Sequence, residues 1–314
     1  MRIVFMGSPE PVVPVLESLV ANRHDIAAVF TLPDRPAGRG RIEIAPPVKE
    51  AALRLGLAVR QVSTLKGNEI LLQLKELGAD ALVLAAFGLL VPPPALEICR
   101  YGCLNIHPSL LPRYRGAAPV AAAILAGDDF AGVSVMRLDA GLDSGPLLAQ
   151  SQVAISPFDT TGSLTARLFR VGTGMLLEVL AQLPGGNLRP RPQDPDGISY
   201  SHEVEKAAGK IDWTLPAEFI SRRVRAFQPW PGAFALWQGR QVKIIEAIPL
   251  ASEVEVGPGR VISLAQSGSS RPLLAVGTGR GLLEITRLQI EGKRPLSGEE
   301  FLRGQKEFEG AVLA

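Results

Sequence analysis

The sequence predicts a doubly wound, mostly parallel α/β sheet followed by a small β-barrel, on three observations. Strand-like and helix-like apolar patterns alternate through residues 1–183. The run 81–86 is apolar throughout, as suits a central parallel strand covered on both faces. After a Pro/Gly-rich stretch, the pattern changes to short apolar runs between glycines. The first half is therefore Rossmann-like in layout and the second OB-like. The expected division is 1–183 for the sheet domain, 184–207 for a linker and 208–314 for the barrel.

Residues 3–6 and 26–31 read as strands, and 11–21 carry helical spacing, with Pro11 and Pro14 bearing on where that helix starts. A Gly/Arg/Pro loop is expected over 32–46, then amphipathic helices over 48–55 and 69–77. Further strands fall at 81–86 and 103–106, and a helix at 118–126. Residues 133–138 and 147–155 look like a strand pair around the loop 141–145, and 160–183 is a long helix. Strands and helices in this succession build a parallel sheet. In the second half, one helix (217–227) precedes runs at 233–237, 242–248, 259–264, 273–276 and 282–290, which read as about five short strands.

Bulk properties exclude several classes. The 314 residues are 46% hydrophobic and 20% charged, with a formal net charge of +2, so the chain is not a polycation that coats nucleic acid. The run 81–91 is far short of the ~20 apolar residues that span a bilayer. The N-terminus lacks the apolar core of a signal peptide and reads as a first strand. A cytoplasmic monomer is expected. Cys99 and Cys103 are the only cysteines; they make neither a disulfide framework nor a paired zinc set, and read as reduced structural thiols. Met6-Gly-Ser-Pro9 follows a strand but lacks the other glycines of a dinucleotide fingerprint, so Gly7 is read as turning the chain.

The most informative stretch is Asn105-Ile-His-Pro-Ser-Leu-Leu-Pro-Arg-Tyr-Arg-Gly116. It leaves a buried strand, where residues two apart share a face, so Asn105 and His107 point into one space. Pro108 biases His107 toward extended backbone. A second loop, Asp139-Ala-Gly-Leu-Asp-Ser-Gly145, ends another apolar strand and offers Asp139 and Asp143. On the premise that both strands are parallel, their carboxyl ends share one sheet edge, and Asp143 reaches His107. A carboxylate fixes an imidazole's tautomer, and an amide donates to a developing oxyanion. Such a trio suits attack on a carbonyl by an amine. Serine hydrolysis is excluded for want of a nucleophile elbow, and one histidine with scattered carboxylates is a poor metal set.

The motif Asn-x-His-x-Ser-Leu-Leu-Pro-x-x-Arg-Gly, with Asp-x-Gly-Leu-Asp-x-Gly downstream, resembles the formyltransferases that use N10-formyltetrahydrofolate. Pro33-Asp-Arg-Pro-Ala-Gly-Arg-Gly40, Arg115-Gly-Ala-Ala-Pro119, Lys210-Ile-Asp-Trp213 and Arg225-Ala-Phe-Gln-Pro-Trp-Pro231 extend the likeness over nearly the full length. They favour the branch acting on methionyl-initiator tRNA. Pro108 departs from that branch, which often has glycine there. The resemblance implies 10-formyltetrahydrofolate as formyl donor, no metal, and N-formylmethionyl-tRNA for translation initiation as product. Asn105 and His107 would stabilise the oxyanion, with Asp143 as base or electrostatic partner. Ser109, Leu110, Leu111 and Pro112 would line the folate on one side, with Phe87, Gly88 and Leu89 on the other through backbone groups. Arg35, Arg39 and Arg41 in the basic loop, and Lys206 with the Arg222–Arg225 cluster, would meet tRNA phosphates. A small amine as acceptor, or an RNA-binding scaffold with a dead site, are the competing readings. Neither accounts for the basic loop, the barrel and the intact trio together.

Overall fold

The computed structural model describes residues 1–37, 42–250, 254–265 and 272–314, which form two compact units. The first comprises Met1–Pro119, Phe130–Ala154 and Thr165–Ser201; the second comprises Val120–Asp129, Ile155–Leu164 and His202–Ala314.

Short β-branched and apolar runs make the longer strands of the first unit, whose strands are β1 (Arg2–Gly7), β2 (Asp25–Thr31), β3 (Arg35–Ala37), β4 (Ile42–Ile44), β5 (Val59–Gln61), β6 (Ala81–Ala85), β7 (Cys103–His107), β8 (Arg115–Gly116), β9 (Phe130–Arg137), β10 (Leu147–Ala154) and β11 (Tyr200–Ser201). Helices α1 (Val13–Ala21), α2 (Pro47–Arg54), α3 (Asn68–Glu76), α4 (Pro93–Leu96), α5 (Pro119–Ala126) and α6 (Thr161–Gln182) lie between them in the chain. A 3-10 turn at Glu10–Val12 precedes α1, so Pro14 falls in the first helical turn, where its missing N–H costs nothing.

The seven-stranded sheet has the order β10-β9-β7-β6-β1-β2-β5. The five strands from β5 to β7 are parallel, and β6 is fully buried, as the unbroken apolar run predicts. The order reverses between β1 and β6, which opens a crevice at their carboxyl ends. Gly7 closes β1 there: a Cβ on it would lie 2.8 Å from the Ala85 carbonyl oxygen, so close approach, not a turn, requires the glycine. Residues 165–182 of α6 cover the sheet, and a Cβ at Gly172 would stand 2.7 Å from both Ile106 and Val133.

Three features differ from the sequence reading. β9 runs antiparallel to β7, while β10, antiparallel to β9, makes the strand pair read around the loop 141–145. The loop 32–46 contains the antiparallel hairpin β3–β4. Residues 184–201 are bonded into the first unit: Arg191 exchanges both backbone hydrogen bonds with Leu147, at 2.7 and 2.8 Å, and β11 pairs parallel with β8.

The second unit contains α7 (Ala217–Ala226), β12 (Ala233–Trp237), β13 (Arg240–Leu250), β14 (Val261–Leu264), β15 (Leu273–Gly277), β16 (Leu282–Ile290), β17 (Leu296–Ser297) and α8 (Gly298–Gly304). Its strands are antiparallel in the order β12-β13-β16-β15-β14, with β17 against β16. Ile211, Trp213, Ile220, Val224, Trp237, Phe301 and Phe308 share its core. The Trp237, Phe301 and Phe308 rings meet edge to face, with centroids 4.7–6.3 Å apart. The C-terminal residues tie the two edge strands together. Leu236 N–H donates to the Ala314 carbonyl at 2.7 Å, and Ala314 N–H donates back at 3.0 Å. Val261 N–H donates to Ala311 O, and Leu313 N–H to Gly259 O, each at 2.8 Å. Leu313 is 4% exposed. Leu313→Ala is expected to destabilise this unit by about 2–4 kcal/mol in denaturant unfolding; an unchanged midpoint would mean that the tail does not hold the edges.

Candidate active site

Asn105 and His107 stand on one face of β7, half-buried and 5% exposed respectively. After β7 the chain folds back over that face. Ser134 on β9, opposite His107 in the ladder, donates its Oγ–H to Ser109 O at 2.7 Å and accepts Leu111 N–H at 3.2 Å. The return brings the Tyr114 carbonyl within 3.0 Å of His107 Nε2. A carbonyl oxygen only accepts, so Nε2 carries a proton and Nδ1 is the ring nitrogen left for chemistry.

Nδ1 faces Asp143 Oδ2 at 3.7 Å, an ion-pair distance longer than a hydrogen bond. The two side chains are 6% and 14% exposed, so water screens the pair little. The sequence reading joined these residues on a wrong premise. Because β9 is antiparallel, with Leu104 opposite Arg137 and His107 opposite Ser134, the loop after β9 starts beside the beginning of β7. It doubles back along the sheet face to carry Asp143 to the histidine. Asp143 adopts φ +46°, in the left-handed region, and its Oδ2 accepts Gly116 N–H at 2.8 Å. Gly116 has φ +104°, and a Cβ there would lie 2.5 Å from the Ser201 carbonyl oxygen. Asp139, the other carboxylate of the loop, is exposed and accepts from Gly141 N–H at 3.0 Å and Ser144 Oγ–H at 2.7 Å, which shapes the turn.

Among the residues expected at the folate, several side chains turn inward. Ser109 is 3% exposed and donates to Arg113 O at 2.7 Å. Leu111 is 3% exposed and packs with Met136 and Leu147, so its side chain belongs to the core. Leu110 lies against Gly132, where a Cβ would come within 2.3 Å of it. Phe87 is 3% exposed, in the core beneath β6, with Leu89 packed beside it. Gly88 is exposed with φ +82°, and Pro112 is half-buried.

Arg35 is exposed on β3, while Arg39 and Arg41 lie outside the described residues. The base of that hairpin is pinned: Lys49 Nζ donates to both Asp34 carboxylate oxygens, at 2.9 and 2.6 Å, and Gln61 donates to Asp34 Oδ1 at 2.7 Å. The hydrogen bonds from Lys49 and then Gln61 hold the Asp34 carboxyl below its ordinary pKa. Lys206 is exposed in the second unit. The Arg222–Arg225 cluster is spent internally instead. Arg222 donates to Ala126 O at 3.0 Å, Arg223 to Ala208 O at 2.6 Å and Arg225 to Asp159 O at 3.1 Å. Phe219 and Phe227 underlie Arg223, so these guanidiniums complete carbonyls and ring faces of their own unit. Cys99 and Cys103 are buried free thiols; burial pushes the Cys99 thiol up to about 11. No group of His, Cys, Asp and Glu among the described residues could hold a metal, and no described helix is long and apolar enough to cross a membrane.

The sequence reading quoted Arg115 and Gly116 within its motifs without giving either a role in holding Asp143, and it did not single out Tyr114 O or Gln193. Arg115 is 8% exposed, and its Nε and Nη2 donate to Gln193 Oε1 at 3.1 and 2.7 Å. Gln193 Nε2 donates to Asp143 O at 2.7 Å and to Gly145 O at 2.8 Å. Arg115-Gly116 closes the histidine motif, whereas Gln193 sits in a polar stretch with no signal.

Residues 1–180 match the model of the formyl transferase family, and 203–306 that of the formyl transferase C-terminal domain. Methionyl-tRNA formyltransferase from Dehalococcoides mccartyi (strain CBDB1) is 50% identical over 313 residues, covering 100% of this chain and 98% of that protein. The protein of the same name from Ruegeria pomeroyi is 45% identical over 307 residues, covering 97% of each. Among solved structures, HypX from Aquifex aeolicus in complex with tetrahydrofolic acid superposes with a TM-score of 0.66 at 20% identity, over 99% of this chain and 48% of that one. WlaRD, a sugar 3N-formyl transferase, gives a TM-score of 0.66 at 18% identity, over 94% and 99%. At these identities the solved structures speak for the fold.

Proposed function

Because this chain belongs to the formyl transferase family, we propose that it transfers the formyl group of 10-formyltetrahydrofolate to the α-amine of methionyl-initiator tRNA, giving N-formylmethionyl-tRNA for translation initiation. One observation carries this reading: the likeness to proteins named methionyl-tRNA formyltransferase runs through both halves of the chain, not the histidine motif alone.

The folate supplies an electrophilic formyl carbon, and the neutral amine supplies the electron pair. A C–N bond forms as the carbonyl oxygen takes up negative charge. Asn105, and His107 through Nδ1, stabilise that oxyanion. With Nε2–H held by Tyr114 O, a second proton on Nδ1 makes an imidazolium, which the Asp143 carboxylate stabilises. The Asp143 carboxylate takes the proton released by the amine, and N10 receives one as the C–N10 bond breaks. Gly88, Leu89 and Pro112 offer backbone and apolar surface beside the crevice, as a flat, partly apolar folate needs. The inward side chains of Ser109, Leu111 and Phe87 leave their segments to act through backbone, with Leu110 supporting them from behind.

In this reading residues 1–183 are the catalytic domain, 184–207 connect and brace it, and 208–314 form an OB-like barrel that binds tRNA. Arg35, Arg39, Arg41 and Lys206 meet phosphates, which position the acceptor without reading its sequence. In this reading the enzyme works in the cytoplasm as a monomer. Incubating the chain with the folate donor and following tetrahydrofolate release tests the reaction. Release that depends on methionyl-initiator tRNA is expected, and release without acceptor would contradict it. Arg39→Ala is expected to raise the KM for charged tRNA about tenfold, roughly one lost charged contact, and to leave the folate KM unchanged. Equal losses for both substrates would refute its placement.

A further inference from the structure

The Asp143 carboxylate is held by a closed circuit of hydrogen bonds that runs through residue 193. Asp143 is a non-glycine residue in left-handed backbone, an uncommon conformation that its surroundings hold in place. The amide nitrogen of Gln193 spans two carbonyls of that turn, Asp143 O at 2.7 Å and Gly145 O at 2.8 Å. The amide oxygen accepts two bonds from the buried Arg115, at 3.1 and 2.7 Å. Arg115 precedes Gly116, whose N–H returns to Asp143 Oδ2 at 2.8 Å. The circuit therefore fixes both the backbone and the carboxylate of Asp143.

The segment that supplies Gln193 is itself tied at both ends. Arg191 pairs with Leu147, and Ser199 and Ser201 hydrogen-bond across to residues 114–118. Only a side-chain amide completes the circuit, because it donates two bonds and accepts two from one planar group. Glutamate would accept from Arg115 but would turn an oxygen toward two carbonyl oxygens.

We propose that Gln193, together with Arg115, is a positioning residue of formyl transfer: it sets the turn that aims Asp143 at His107 Nδ1. The inference rests on the reading above that His107 and Asp143 serve the reaction. Small misplacements of a reacting group cost on the order of 10²-fold in rate. Gln193→Ala and Gln193→Glu in the full chain are expected to lower kcat about 10- to 100-fold, with both KM values within about twofold.

The decisive readout is coupling. In an Asp143→Asn background no carboxylate remains to be aimed, so adding Gln193→Ala should cost little more, a non-additive result for groups that act as one unit. A residue that only stabilises the fold would lower both backgrounds equally. If Gln193→Ala fails to fold, Gln193→Asn, one methylene shorter, takes its place in the same cycle. Wild-type kcat in the Gln193 variants, or the same fractional loss in both backgrounds, overturns the proposal while leaving the catalytic pair standing. Full turnover in His107→Ala and Asp143→Asn would instead overturn the reading beneath it, and the proposal with it.

Discussion

His107→Ala is expected to lower the single-turnover rate of formyl transfer by about 10²–10⁴-fold, with the Kd for methionyl-initiator tRNA unchanged. The magnitude follows from what the ring does in place. Its Nε2–H is spent on the Tyr114 carbonyl, and Nδ1 faces the Asp143 carboxylate with the side chain 6% exposed. Alanine removes the oxyanion's partner and the ring that Asp143 faces. The tRNA contacts proposed here lie on other elements, Arg35 on β3 and Lys206 in the second unit, so binding should survive. Single-turnover rates and filter binding on the same preparation separate the two. Unchanged turnover would sink the catalytic assignment.

Asp143→Asn tests charge rather than shape. Asparagine tolerates left-handed backbone well, and its amide oxygen can still accept from Gly116 N–H. The turn should therefore stand while the negative charge beside Nδ1 is lost. The expected result is a fall of about 10²-fold or more in kcat, with both KM values near wild type and an unchanged melting temperature. A rise in the folate KM without a loss in kcat would instead make Asp143 a binding residue.

The fold was legible where one local pattern decides the element. β12 and β16 coincide with apolar runs bounded by turn residues, and β6 with an unbroken apolar stretch. Strand direction was not legible: β9 looks the same on the page whether parallel or antiparallel, since an apolar run records burial and not polarity. The hairpin β3–β4 escaped because three residues, one of them Pro36, cannot show a period of two. The last helix, α8, escaped although its capping box, Ser297 with Glu300, is written in the sequence as Ser-x-x-Glu.

The site was legible to the extent that rare side chains carry chemistry. Asn105, His107 and Asp143 stood out by type and by the glycines and prolines around them. Their supports did not. The Tyr114 carbonyl and Gly116 N–H are backbone groups that every residue carries, and Gln193 lies in a stretch whose composition suggests a solvated linker. Composition shows that polar groups are present, but pairing depends on contacts 48 and 78 residues away along the chain. The arginine cluster at 222–225 shows the converse, since its charge pattern suits a phosphate track and its guanidiniums are held by carbonyls of their own unit.

The central claim is that the shared formyl chemistry is directed here at a charged tRNA. It is tested most directly by supplying labelled 10-formyltetrahydrofolate with methionyl-initiator tRNA, glycinamide ribonucleotide and free methionine in parallel. Label on the tRNA alone is the predicted result and gives the basic hairpin and the antiparallel second unit their purpose. Label on the nucleotide or the free amino acid, with none on the tRNA, would contradict the account while leaving the histidine–aspartate site as a formyl-transfer centre.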